Sequence, residues 1–220
     1  IGTVDVETGA THIVGPSGVD LTDIAFDPLG NLWGIGFDNL FRLNSDTGAA
    51  TLVGPHGIDQ GNALVFGSDG ALYAAGGFAR RLYRINTVTG ASTDLGFIGA
   101  TSGGDLAFFN EQLYLVDLFG NLVRIPLNPV SDAVTVGHTG FSNVFGMATG
   151  DDGVLYGGAG TEIFSINAIT GAGTLAVDYG GRGLGSVRGT AFITEAPEPA
   201  TLSLLLLGVA FLSRSYKRRP

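Results

Sequence analysis

Residues 31–55, NLWGIGFDNLFRLNSDTGAATLVGP, form a unit that the chain repeats with small changes. The unit returns as ALYAAGGFARRLYRINTVTGASTDLG from Ala71, as QLYLVDLFGNLVRIPLNPVSDAVTVG from Gln112 and as VLYGGAGTEIFSINAITGAGTLAVD from Val154. Its anchoring leucines, Leu32, Leu72, Leu113 and Leu155, are spaced by 40, 41 and 42 residues. Within one copy apolar residues alternate at period two, the mark of half-buried strands, and Gly, Asp, Asn and Thr punctuate them. In the first copy DIAFD, NLWGIG, NLFRLN and AATLVG read as four strands. A period near 40 residues that carries four short strands is the signature of a propeller blade.

The turns support that reading. DPLG (residues 27–30) joins the first two strands, with Pro28 presetting φ, and GSDG (67–70) and GDDG (150–153) take its place in later copies. FNEQ in the third copy is shorter and lacks the glycine. SDTG, TVTG and AITG, ending at Gly48, Gly90 and Gly171, join the last two strands. The third copy has NPVSD there, which predicts a looser outer hairpin.

Both ends of the repeat region are partial copies. Ile1–Asp5 aligns with Leu40–Asn44, and Thr8 and Gly9 align with Thr47 and Gly48, so residues 1–16 match only the second half of a unit. SVRGTAFI (residues 186–193) matches only a first strand. Building one blade from both termini leaves no sheet edge open. The expected fold is therefore an all-β propeller of about five four-stranded blades, one of them composite and lacking a second strand. Because that blade is short and the chain starts at Ile1 rather than Met, further residues, including an export signal, are expected before Ile1.

Charge narrows the partners. Residues 1–194 carry seven basic against 18 acidic side chains, net −11, and no lysine. Such a surface repels phosphate backbones, so nucleic acid is not an expected partner. The chain has no cysteine, which leaves its redox compartment unmarked.

Past residue 194 the composition changes. Pro197, Glu198 and Pro199 break secondary structure, Ala200 to Leu212 is apolar throughout, and Arg214, Lys217, Arg218 and Arg219 crowd the end. A Pro-Glu-Pro motif, a short hydrophobic helix and a basic terminus, in that order, resemble the PEP-CTERM sorting tail of exported bacterial proteins. The resemblance covers residues 195–220 and implies cutting near the motif by an exosortase-type peptidase. Thirteen helical residues rise about 20 Å, short of a hydrocarbon core of about 30 Å. Tyr216 at the interface, snorkelling basic side chains and local thinning of the bilayer can make up the difference. The positive cluster should stay cytoplasmic, which puts residues 1–194 on the far side of the membrane. Plain docking of a greasy helix on the propeller would not explain the four charges.

The usual catalytic signatures are missing: no GxSxG, HExxH, P-loop or dinucleotide-binding glycine motif occurs. His56 and His138 each follow a Val-Gly at the end of an outer strand, so their recurrence belongs to the repeat. Two periodic sets remain as candidates. Asp23, Asn62, Asp105, Asn143 and Arg188 open the first strands, which converge on one mouth of the central channel. Oxygen ligands from several strands would suit a hard cation such as Ca²⁺, and propeller lactonases are similar in placing a metal there. The plainer role is to satisfy backbone groups and water, with Arg188 neutralising the aspartates. Phe37, Phe78 and Phe119 recur in the hairpin between second and third strands, facing the same mouth. They would stack on sugar faces or grip a peptide, though the commoner role for such a residue is a wedge between blades. Arg42, Arg84 and Arg124 on the third strands read as ion pairs between blades.

Taken together, the expected protein is an exported, non-enzymatic propeller (1–194) with a sorting tail (195–220). It would be tethered by its C-terminal helix and act at the cell surface or in the extracellular matrix as a binding or scaffolding module for polysaccharide or protein. The alternative is a metal-dependent propeller hydrolase or lactonase built on the channel-mouth residues.

Overall fold

The outer hairpins of three blades are each closed by an asparagine that the repeat supplies. Asn44 Oδ1 accepts the backbone N–H groups of Asp46 and Thr47, each at 2.9 Å, and Gly48 then turns the chain at φ 76°. Asn86 with Gly90 and Asn167 with Gly171 repeat the device, and Asp5 with Gly9 makes it a fourth time near the N-terminus. A side chain that bonds its backbone two and three residues on, followed by a residue with positive φ, fixes the turn locally.

A computed structural model describes residues 1–192. They form a hairpin, β1 (Gly2–Val4) with β2 (Thr11–Ile13), followed by four antiparallel four-stranded sheets. Blade 1 is β3 (Asp23–Phe26), β4 (Leu32–Ile35), β5 (Asn39–Leu43) and β6 (Ala50–Pro55). Blade 2 is β7 (Gly61–Phe66), β8 (Leu72–Gly76), β9 (Arg81–Ile85) and β10 (Ser92–Phe97). Blade 3 is β11 (Ser102–Phe109), β12 (Gln112–Asp117), β13 (Asn121–Ile125) and β14 (Val134–His138). Blade 4 is β15 (Val144–Thr149), β16 (Leu155–Ala159), β17 (Glu162–Ile166) and β18 (Gly173–Asp178). Within every blade the strands pair in chain order, and the outer pair carries one register shift, at Leu40/Phe41, Asp94/Gly96, Leu122/Val123 and Ile163/Phe164. A bulge there adds local twist, as blades arranged around an axis require.

The core lies between blades. Ala25, Ile35 and Leu40 of blade 1 pack on Leu64, Leu72 and Ile85 of blade 2, and the same layer recurs between blades 2 and 3 and between blades 3 and 4. Full burial of each of these leucine and isoleucine side chains is worth about 1.5–3 kcal/mol. Aromatic pairs ride on these layers: Trp33 meets Phe66 at 6.0 Å between ring centroids, Tyr73 meets Phe108 at 5.5 Å and Tyr156 meets Phe192 at 5.3 Å. Each joins a second strand to the first-strand position of the next sector.

Blade 3 departs where its sequence does. Asn110 and Glu111 both take positive φ, 47° and 61°, and make a two-residue hairpin in place of the glycine turn. Its outer connection runs over residues 126–133, held by a single bridge between Leu127 and Val130.

The fifth sector differs from expectation. The hairpin β1–β2 stands in the place of third and fourth strands, tied to the far end of the chain by Arg182 Nη1 donating to Thr8 O and Thr11 Oγ1 donating to Arg182 O. Residues 186–192 run through the first-strand position, where Val187 N–H donates to Gly160 O (2.8 Å) and Thr190 reaches Asp105, yet they form no strand. A strand exists through its ladder, and among the described residues no second strand lies beside this segment for it to join. The expected C-terminal helix and its PEP motif fall outside the described residues, among which no helix is long and apolar enough to cross a membrane.

Candidate functional site

Antiparallel order puts the hairpins between second and third strands, together with the crossings from blade to blade, at one end of the ring. Phe37, Phe78 and Phe119 occupy those hairpins in blades 1, 2 and 3, and they are 54%, 64% and 78% exposed. Such exposure rules out the wedge between blades. Blade 4 has Gly160 at this position, so the crown of rings is open on one side. Leu118 beside Phe119 is exposed too, and Phe97, at the same end of blade 2, carries the Arg80 guanidinium 5.3 Å from its ring centre. Exposed Asp38 and Asp59 stand among the rings and give the face its negative charge. Flat apolar rings spaced around a polar, acidic mouth suit contact with a ligand that offers both a nonpolar face and hydrogen-bond donors.

Below this face the channel residues sort themselves by register. Phe26 pairs with Leu32, Phe66 with Leu72, Phe108 with Leu113 and Thr149 with Leu155, so Asp23, Ala63, Asp105 and Gly146 share one layer, three residues earlier in each blade. Asp23 and Asp105 are thus brought together, both buried. Asn62 is one residue out of that layer and donates from Nδ2 to Ser102 O (3.4 Å), while its Oδ1 and the Ser102 hydroxyl are buried without partners among the described residues. Asn143 is exposed, with φ 56°, just before β15. Arg188 is exposed and makes no ion pair with either aspartate among the described residues, so the expected neutralisation by Arg188 does not occur. Among those residues no group of three or more His, Cys, Asp or Glu is arranged to hold a metal ion.

The aspartates lash sectors together, a role hidden from sequence. Asp23 Oδ1 accepts from Ile24 N–H (2.7 Å) and its Oδ2 from Leu64 N–H of blade 2 (2.6 Å). Asp105 Oδ1 accepts from Leu106 N–H (2.6 Å), and its Oδ2 from Met147 N–H of blade 4 (2.6 Å) and from Thr190 N–H and Oγ1–H of the closing segment (3.2 Å each). Burial first, then the facing Asp105 carboxyl, pushes Asp23 well above the usual carboxylate range. Burial likewise pushes Asp105 up to about 8, against the bonds it accepts from Asp23 and from backbone N–H groups. Protons retained on the buried carboxyls, rather than an ion pair with Arg188, limit the charge held in this layer.

Two smaller expectations resolve in the same way. Arg42 pairs with Asp27 at 3.6 Å inside its own blade and lies 4.8 Å over the Trp33 ring, rather than bridging blades. His56 is buried, with Nε2 at 3.0 Å from Gly36 O and Nδ1 accepting Ile58 N–H at 3.0 Å, and burial lowers its pKa, so it is a neutral structural staple. His138 repeats the bond to the N–H two residues on, through Gly140 at 2.9 Å.

No protein-family model and no curated protein matches the chain. Solved structures do. A chain of the nidogen/laminin complex aligns at TM-score 0.59 and 13% identity, covering 86% of this chain and 75% of its own. A gluconolactonase from Xanthomonas campestris aligns at 0.55 and 18%, covering 77% and 64%. A streptogramin B lyase aligns at 0.52 and 15%, covering 82% and 62%. The chain thus spans somewhat less than two-thirds of the two enzymes it resembles. At such identities the likeness is one of fold alone, the β-propeller.

Proposed function

We propose that this protein is an exported, membrane-tethered propeller that works at the cell surface or in the extracellular matrix as a binding module, and that Phe37, Phe78 and Phe119 form its ligand face. The observation that carries the reading is the exposure of three phenylalanines from three successive hairpins around one mouth. Large exposed rings grouped on one face of a propeller suit contact with a ligand, since in water they gain nothing. The Pro-Glu-Pro motif, apolar run and basic end of residues 195–220 support export and sorting by an exosortase-type peptidase. The ligand class is a polysaccharide or a protein of the matrix.

The test is the triple substitution Phe37→Ser, Phe78→Ser and Phe119→Ser, assayed against immobilised bacterial exopolysaccharide and matrix protein fractions. Binding of the parent should fall at least about tenfold in the variant, equivalent to about 1.4 kcal/mol. Stability should change little, because exposed side chains away from special features cost within about 0.5 kcal/mol each. Undiminished binding by the variant would move the ligand face elsewhere.

A second reading, a metal-dependent hydrolase or lactonase, is favoured by the gluconolactonase likeness together with the buried Asp23–Asp105 pair. A calcium site would raise stability by about 2.7 kcal/mol at 100-fold excess over its dissociation constant. A calcium-dependent rise in Tm, lost in Asp23→Ala and Asp105→Ala, would favour the enzyme; an unchanged Tm supports the binding module.

A further inference from the structure

The face that carries the three exposed phenylalanines is unevenly charged. Three exposed acidic side chains, Asp20, Asp38 and Asp59, adjoin the Phe37 hairpin. Asp38 follows Phe37 in the chain, and a Cβ on Gly36, just before it, would lie 2.6 Å from Asp20 O. Asp59 belongs to the crossing into blade 2, whose Gly61 N–H donates to Phe37 O (3.1 Å) and whose Gln60 O accepts from Gly77 N–H (2.9 Å), just ahead of Phe78. Asp59 therefore stands between the hairpins of Phe37 and Phe78.

These three carboxyls hold nothing of the fold. Asp5, Asp27, Asp69 and Asp152 each accept a backbone N–H of their own turn. Asp20, Asp38 and Asp59 join no ion pair and accept no hydrogen bond among the described residues, and they form no metal-holding group there. Like charges gathered around an exposed ring repel one another, and an organic ammonium group relieves that repulsion while it is drawn to the ring face as well.

Beyond Phe78 the chemistry changes. Arg80 Nε donates to Gly99 O (2.7 Å) in the crossing into blade 3, so a cation is not favoured there. Between the hairpins of Phe78 and Phe119 stand two buried polar atoms without a partner among the described residues, Asn62 Oδ1 and Ser102 Oγ. Asn62 Nδ2 is 3.8 Å from where a Cβ on Gly77 would lie, and Ser102, 1% exposed, pairs with Asp117, two residues before Phe119. A hydroxyl is the group that serves both, since it can donate to the amide oxygen and exchange a bond with the serine.

On the reading that Phe37, Phe78 and Phe119 form a ligand face, we propose that the ligand is a cationic polysaccharide whose hexosamine units carry free amino groups. An ammonium group sits beside Phe37 among Asp20, Asp38 and Asp59, pyranose faces lie on the three rings, and a sugar hydroxyl turns toward Asn62 and Ser102. Like rings on three successive hairpins offer the same flat contact at each step, which suits a polymer of like units. A peptide, with unlike side chains, would need unlike pockets.

The full chain is titrated by calorimetry with a glucosamine hexamer, with its fully N-acetylated counterpart and with hexalysine, at mildly acid pH so that the amines are charged. The glucosamine hexamer should saturate the protein and bind at least about tenfold more tightly than either of the others. Asp38→Asn with Asp59→Asn should weaken the amino form about tenfold and the acetylated form little. Phe37→Ser, Phe78→Ser and Phe119→Ser together should weaken both, and thermal melting checks that each variant stays folded. Equal binding of hexalysine, or amine binding untouched by the ring substitutions, would mean charge attraction alone and overturns the proposal. Absent binding of the glucosamine hexamer, beside ring-dependent binding of a neutral polysaccharide or a matrix protein, overturns it and leaves the ligand face standing. Binding of every probe and fraction undiminished in the ring variant removes the face as well.

Discussion

Asp23 and Asp105 stand where charge is most costly, in a buried layer of the channel, and their pKa values rise for that reason. A carboxyl whose folded pKa lies above its unfolded value binds more protons folded than unfolded. Its stabilising contribution is full below the unfolded pKa and is lost as pH rises through the folded one. Stability of the propeller should therefore decline between about pH 4 and about 8, by at most about 1.4 kcal/mol per pH unit for each proton held. Asp105→Asn removes one titrating member, and with it an oxygen that accepts from Met147 and Thr190. Urea midpoints from pH 4 to 8 should show a flatter decline in the variant and a loss of about 1–3 kcal/mol at the acid end. Parallel curves for parent and variant would mean that Asp105 does not hold its proton above the usual carboxylate range. The sequence marked both aspartates as special, but it grouped them with Asn62, Asn143 and Arg188. A slip of one residue along a strand reverses the face a side chain takes, and the register that settles such slips is set by pairing.

At the scale of elements, the outer turns do more than reverse the chain. Gly171 has φ 79°, and a Cβ there would lie 2.5 Å from the backbone of Gly137 in the preceding blade. Gly153 has nearly the same φ, 74°, with nothing within 4 Å. Both glycines replaced by alanine pay the left-handed cost of about 1–2 kcal/mol, but only Gly171→Ala also forces two blades apart. Chemical denaturation should show Gly171→Ala losing at least about 1 kcal/mol more than Gly153→Ala. Equal losses would show that the blades yield freely at their rims. The turn chemistry was readable in advance as SDTG, TVTG and AITG, because an Asx turn is made within five residues. The packing of Gly171 on Gly137 was not, because it joins residues of different blades.

For the whole molecule, the sorting tail we propose would leave its positive end on the cytoplasmic side and carry the propeller across the membrane. In a bacterium that has an exosortase, protein expressed with an export signal should lose the residues that follow its Pro-Glu-Pro motif. Replacing Pro197, Glu198 and Pro199 by alanine should block that loss, as read by intact mass. The same full-length mass with and without the peptidase would remove the sorting proposal. Four blades, their strand order and most of their turns were legible from residues 20–178 because period-two alternation and Asx turns are local, and repetition made the strand pattern appear four times and each turn signal three. What a residue does beyond its own blade was settled by the folded ring. Phe37, Phe78 and Phe119 had two credible roles in the sequence, wedge and face, and the choice depends on how far neighbouring blades approach. Residues 186–192 carry a first-strand pattern but form no strand, since a ladder needs a neighbour and none lies beside them among the described residues. Local chemistry thus decided what each blade is, while contacts between blades decided which residues are buried and which carboxyls meet.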